Sequence, residues 1–160
     1  MCAFFFFWQI PGKSVLSGYE QVHKTGGYIM GIPVINGSPK GSNSITLQTV
    51  NYLQLLHPEH RFEVLHAGSL IKRLEKNFSP ALEAVQKTEL LLFSYPVYTL
   101  VAPRQLHRFI EDLRNRSEGK AASQITTSKH FYDITAHRYI QDNCADLGLN
   151  YVRGPLCGYG

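Results

Sequence analysis

From residue 30 onward the chain alternates short apolar runs with stretches whose apolar residues recur every three or four positions. Ile32 to Ile35 reads as a buried strand that stops in a Gly37-Ser38-Pro39 turn, and a helical pattern opens at Asn43 or Ser44. Across residues 46–56, Leu47, Val50, Leu53 and Leu56 fall at helical spacing and predict one apolar face. Pro58 ends that helix, since it cannot donate the backbone hydrogen bond. Residues 61–66 carry Phe62 and Val64 in alternation and predict a second strand, after which Leu70, Ile71 and Leu74 predict a short turn of helix. Ser79-Pro80 caps a helix through Val85, with Pro80 at the tolerated first position. Residues 89–94 form a continuous apolar run around Leu90-Leu91-Leu92-Phe93, which suits a central parallel strand covered on both faces. Tyr95 to Thr99 leaves it as a loop, and Pro103 opens a helix with Leu106, Phe109, Ile110 and Leu113 inward. Residues 121–127 predict a fourth strand. Residues 131–147 predict a helix with Ile134, Tyr139 and Ile140 among its apolar positions, and 149–152 begin a fifth strand.

Strand and helix alternating through short loops imply a parallel sheet with helices on both faces, and ligands of such sheets sit at the carboxyl ends of the strands. Three loops leave those ends, at 36–44, 94–102 and 127–132, and all carry hydroxyl, amide or aromatic groups. The first has the makings of an anion site. A helix that starts directly after a strand leaves its first N–H groups unpaired and adds partial positive charge there. Hydroxyls of Ser38, Ser42, Ser44 and Thr46, with the Asn43 amide, can meet phosphate oxygens. An ordinary strand-to-helix turn with Ser or Asn as N-cap explains the same residues. Neither a Gly-Lys-Ser/Thr phosphate loop nor the Gly-x-Gly-x-x-Gly dinucleotide fingerprint is present.

At 160 residues, with no repeat or linker between the units, one domain is expected. The formal charge of +4 comes without a Lys/Arg cluster beyond Lys72-Arg73 and the stretch from Arg104 to Arg116. That argues against nucleic acid as a partner and fits an anionic small ligand. Cys2, Cys144 and Cys157 form no paired motif, which points to a reducing, cytoplasmic setting. The apolar stretch from Cys2 to Ile10 is too short to span a bilayer, and no membrane association is expected. His57 and His60 flank Pro58-Glu59, which spoils a helical metal pair, so no metal is expected. His130 and His137 lie seven apart and share a predicted helix face. Ser38 lacks a nucleophile-elbow setting, and Arg104, Arg108 and Arg114 read as a solvated helix face.

Asn36-Gly37-Ser38-Pro39-Lys40-Gly41-Ser42-Asn43-Ser44 resembles the first loop of flavodoxin-like NAD(P)H-dependent FMN reductases and quinone reductases. In that family this loop cradles the FMN phosphate, which the resemblance assigns here to Ser38, Lys40, Ser42, Asn43 and Ser44. Tyr95-Pro96-Val97-Tyr98-Thr99 is similar to the Pro-x-Tyr segment that lies along the isoalloxazine ring. The resemblance gives that wall to Pro96, Val97, Tyr98, Thr99 and Leu100. A flat conjugated ring needs such an apolar or aromatic surface, with backbone N–H groups for its polar edge. The third loop, with Thr127, Ser128 and Lys129, departs from the family's glycine-containing segment by carrying Lys129-His130; Thr127 or Ser128 can equally N-cap the next helix.

The resemblance covers residues 30–153. It implies a flavodoxin-like three-layer α/β/α sandwich, a parallel sheet of order 2-1-3-4-5 and a last helix missing. It implies an FMN-binding oxidoreductase that uses NAD(P)H as co-substrate to reduce flavin, quinone or another small-molecule electron acceptor, in a chain that can form a homodimer. No catalytic side chain is required by that chemistry. A flavodoxin-type electron carrier without a nicotinamide site and a truncated, non-functional remnant are the alternatives.

Residues 1–29 lack either period and stand outside the expected domain, 30–160. Gly26-Gly27-Tyr28-Ile29-Met30 can be encoded as GGA GGT TAT ATT ATG, a ribosome-binding GGAGG just before a start codon, which makes Met30 a candidate true start. At the other end, relatives continue with Gly-Leu-Ser-Ala-Asp-Met-Asp after the equivalent of Gly154. One inserted base in such a stretch yields Gly154-Pro155-Leu156-Cys157-Gly158-Tyr159-Gly160 and a stop, which suggests a frameshifted terminus.

Overall fold

The computed structural model describes residues 30–114, 118–129 and 133–153. The proposed extension 1–29, the terminal heptapeptide and His130 lie outside the described residues. The elements are β1 (Met30–Asn36), a 3-10 turn (Gly41–Asn43), α1 (Ile45–Leu56), β2 (His60–Leu65), α2 (Ala67–Leu74), α3 (Ser79–Gln86), β3 (Leu90–Pro96), α4 (Arg104–Asp112), β4 (Ala121–Thr127), α5 (Ile134–Asp146) and β5 (Asn150–Tyr151).

All four strand pairings are parallel, in the order β2-β1-β3-β4-β5, as expected. β3 is buried at every position, which explains its unbroken apolar run. Pro33 sits inside a central strand, where a missing N–H is normally excluded. It is tolerated because the β1–β3 register starts only at Val34, so Pro33 lies where β1 is paired with β2 alone.

Side chains alternate between two cores. Ile35, Leu91, Phe93 and Tyr95 point to the layer built from α2, α3, α4 and α5, filled by Ile71, Val85, Leu106, Phe109 and Ile140. Ile32, Val34, Leu90 and Leu92 point the other way, onto Leu47, Val50 and Leu53 of α1. The sheet thus separates α1 from the other described helices.

Several boundaries differ from the sequence reading. α1 starts at Ile45, because the 3-10 turn takes up Gly41–Asn43, and Leu56 is 54% exposed instead of joining the apolar face. β3 runs on through Tyr95 and Pro96, which pair with Thr126 and Thr127. Tyr95 belongs to the core: its hydroxyl donates to Gln124 Oε1 at 2.5 Å and reaches the Ala136 carbonyl at 3.2 Å. α2 is a full helix from Ala67, and its Leu70 is exposed. α5 starts at Ile134, which is itself 38% exposed, so it does not serve as an inward position.

Candidate functional site

The first loop is braced from within by Asn36, the fully buried last residue of β1. Its side-chain Oδ1 accepts the Ser38 N–H at 3.1 Å, and its Nδ2 donates to the Gly41 carbonyl at 2.8 Å. The same Nδ2 lies 3.1 Å from His66 Nδ1, at the end of β2. The backbone adds Gly37 N–H to the Ser94 carbonyl at 2.9 Å and Gly41 N–H to the Ser38 carbonyl at 3.2 Å. Gly41 takes the left-handed conformation (φ 55°) that starts the 3-10 turn, a backbone shape a β-carbon resists. The start of α2 presses on this loop closely enough that a β-carbon on Gly68 would lie 2.3 Å from the Gly37 carbonyl oxygen.

That bracing delivers the start of α1 to the carboxyl end of the sheet. Ser44 is its N-cap, yet its hydroxyl makes no capping bond. The hydroxyl oxygen is buried and has no hydrogen-bond partner among the described residues. Such a group costs free energy unless something pairs with it. Ser38 is also buried, but its Oγ accepts the Lys40 N–H at 3.2 Å. Thr46 is tied to β4, its hydroxyl 2.6 Å from that of Thr127. Lys40, Ser42 and Asn43 are exposed on the rim.

In the second loop Pro96 is buried at the end of β3, and Val97 is half-buried, its N–H donating to the Thr127 carbonyl at 2.9 Å. Tyr98 and Val101 exchange backbone bonds of 3.0 and 3.2 Å around Thr99 (φ 46°) and Leu100 (φ 76°). Two positive φ values inside such a pair make a type I′ turn, normally reserved for Asn and Gly. Tyr98, Leu100 and Val101 are all exposed there, which gives this end of the sheet an apolar lip.

Thr127 ends β4 and Ser128 and Lys129 follow it at the same end of the sheet, Thr127 half-buried and the other two exposed. The N-cap position of the next helix falls to Asp133 and not to Thr127 or Ser128; Asp133 makes no side-chain capping bond, and its carboxylate lies 3.4 Å from His137 Nε2. His137 also lies 3.1 Å from the Thr126 hydroxyl, and burial lowers its pKa against the pull of Asp133. Arg108 is not a free surface charge but pairs with Glu75. Among the described residues no cluster of three or more His, Cys, Asp or Glu is placed to hold a metal ion, and no helix is long and apolar enough to cross a membrane.

The expected site residues therefore gather at the carboxyl end of the sheet, in three loops linked by the Gly37–Ser94 and Val97–Thr127 backbone bonds and the Thr46–Thr127 hydroxyl pair. The sequence reading missed Asn36, His66 and Gly68. Only the small residues at Ala67-Gly68 hinted that α2 approaches another backbone there.

No protein-family model matches the sequence, and no curated protein matches it. Solved structures do. The apo form of the NADH:FMN oxidoreductase EMOB aligns with a TM-score of 0.65 at 22% identity, over 77% of this chain and 72% of that one. The flavoenzyme NAD(P)H:(acceptor) oxidoreductase FerB from Paracoccus denitrificans aligns with a TM-score of 0.64 at 18% identity, over 81% and 77%. RosB, solved with bound 8-demethyl-8-formylriboflavin-5'-phosphate, aligns with a TM-score of 0.64 at 16% identity, over 82% and 67%. Likeness at these identities, with the matching strand order, establishes the fold: this chain is a flavodoxin-like α/β/α sandwich.

Proposed function

We propose that the chain is an FMN-binding oxidoreductase that takes a hydride from NAD(P)H and passes reducing equivalents to a small acceptor such as a quinone or free flavin. The observation that carries this reading is the buried, unpartnered Ser44 hydroxyl at the start of α1, where a phosphate would also meet unpaired helix N–H groups. A phosphate oxygen there accepts from Ser44, while exposed Lys40, Ser42 and Asn43 close around it from the rim. Bound FMN supplies the two-electron chemistry, and the protein's part is binding, orientation and electrostatics. Pro96, Val97, Tyr98, Thr99 and Leu100 provide an apolar wall beside it, and Thr127, Ser128 and Lys129 polar groups at its far edge. The flavin and nicotinamide chemistry of EMOB and FerB, similar in fold, supports the same assignment.

The test is a visible spectrum of the full chain after incubation with FMN and desalting. Retained flavin bands that bleach anaerobically with NAD(P)H are expected. Retained bands that bleach only with dithionite would make the protein an electron carrier. A folded sample that retains no flavin would overturn the reading.

A further inference from the structure

His66 sits where β2 gives way to α2, beside the first loop, and the hydrogen bonds there assign its Nδ1 the acceptor role. The Gly41 carbonyl can only accept, so the Asn36 atom 2.8 Å from it is the amide nitrogen. The Ser38 N–H can only donate, which makes the other Asn36 atom the oxygen. The Asn36 nitrogen therefore also donates to His66 Nδ1 at 3.1 Å, and that nitrogen must carry a lone pair. An Nδ1 acceptor corresponds to the tautomer that carries its proton on Nε2. Asn36 is fully buried and spends both amide hydrogens and its oxygen in this one arrangement. Rotating the amide would set nitrogen against the Ser38 N–H and oxygen against the Gly41 carbonyl, losing both bonds. Among the described residues, the His66 acceptor is the partner from outside the loop that holds the amide in register, from 30 residues away.

We infer that His66 is a positioning residue for phosphate recognition: its Nδ1, as acceptor, holds Asn36, and Asn36 holds the Gly41–Asn43 turn that leads into Ser44 and α1. The inference rests on the proposed FMN site and names a residue that acts on it without touching the ligand. The relevant atom is Nδ1, and two substitutions tell it from Nε2. His66→Asn keeps an acceptor near the Nδ1 position, whereas His66→Gln carries its polar group out to the Nε2 position.

The experiment measures affinity for FMN and for riboflavin, which lacks the phosphate, in the full-length wild type and in His66→Asn, His66→Gln and His66→Leu. His66→Asn is expected to bind FMN within about twofold of wild type, and His66→Gln and His66→Leu about three- to tenfold more weakly, the worth of one hydrogen bond. Riboflavin affinity is expected to stay level throughout. A Gln variant that binds like wild type while the Asn variant fails would assign the role to Nε2 and overturn the inference. So would equal FMN affinity in all four proteins, or a parallel loss of riboflavin. If the wild type binds no FMN, the proposed function falls and this inference with it. Nitrogen-15 spectra of the wild-type imidazoles give a readout free of folding defects in the variants. His66 in the Nε2–H form is expected, and an Nδ1–H form would overturn the assignment.

Discussion

The first and second loops leave the same end of the sheet but are held in opposite ways. The first is braced by a buried side chain: Asn36 bonds to Ser38, Gly41 and His66, and Gly68 lets α2 press directly on the loop backbone. Its glycines stand where the conformation or the close approach requires them. The second has no comparable brace beyond Val97 among the described residues; its tip is a two-residue turn whose left-handed positions carry Thr99 and Leu100, with the apolar side chains of Tyr98, Leu100 and Val101 exposed. A loop braced from inside can keep donors aimed at a small anion. A loop holding about 1–3 kcal/mol of backbone strain per left-handed residue is stabilised by any surface that covers its lip. The comparison predicts that the first loop fails when crowded and the second gains when relaxed.

The largest effect is expected from Gly68→Ala. The new β-carbon would lie 2.3 and 2.4 Å from the carbonyl oxygens of Gly37 and Ser38, backbone atoms that cannot swing aside. A loss of about 3 kcal/mol in urea unfolding is expected, with flavin retention lost as well. Gly31→Ala is the control, since among the described residues no atom other than those of its chain neighbours lies within 4 Å of the added carbon. Equal stability of the two variants would mean that α2 does not brace the first loop.

Acid should act elsewhere in the molecule. His60, His107 and His137 are all held below the usual histidine value, chiefly because burial disfavours the imidazolium. Glu59 beside His60, and Asp133 beside His137, pull the other way without overcoming it. In the unfolded chain these groups titrate near about 6.5. Below that pH the unfolded chain takes up protons before the folded one, so stability falls as pH drops towards the folded values; above it, these groups leave stability flat. His137 reaches Thr126 beside the third loop, and His107 stacks on Tyr139 at 4.0 Å between α4 and α5. Urea midpoints between pH 5 and 8 check the sign, and His107→Phe should flatten the acid limb. A profile that rises towards acid would rule out the burial argument.

How far all this was legible in the sequence follows from how far apart the interacting residues lie. The apolar run at Leu90–Phe93 and the period of Leu47, Val50 and Leu53 are local, and the structure agrees with both. The strand order came from the family resemblance, not from any period. What was missed depends on distant partners. Tyr95 was read as the start of a loop, but it pairs with Thr126, and Gln124 and Ala136 satisfy its hydroxyl. Leu56 has the helical period of a core residue, yet as the last residue of α1 it is left exposed. Asn36 reads as a turn residue until His66 is brought beside it.

In the second loop, Leu100→Gly removes the β-carbon from a φ of 76°. The strain released exceeds the extra chain entropy of glycine, for a net gain of about 0.5–1 kcal/mol. The side chain is already 48% exposed, so little burial is lost. Urea unfolding reads this directly. A destabilised variant would show that Leu100 contributes more by packing than its conformation costs, and the contrast between the loops would narrow.

Ser44→Ala is expected to change stability least, and the small size of that effect makes it informative. Replacing an N-cap serine usually costs about 1 kcal/mol because a helix N–H loses its acceptor. Here the Ser44 hydroxyl makes no capping bond, so nothing in the chain alone is lost, and removing a buried unpaired hydroxyl is itself mildly favourable. Unfolding without ligand should therefore move by less than about 0.5 kcal/mol in either direction. FMN affinity should drop about tenfold, because a hydrogen bond to a charged phosphate is worth more than a neutral one. Ser38→Ala gives the opposite pattern: its Oγ is engaged by the Lys40 N–H at 3.2 Å, so stability falls first. If Ser44→Ala cost a full cap and left FMN binding unchanged, Ser44 would be an ordinary helix cap, and the first loop would be a well-braced turn with no anion to hold.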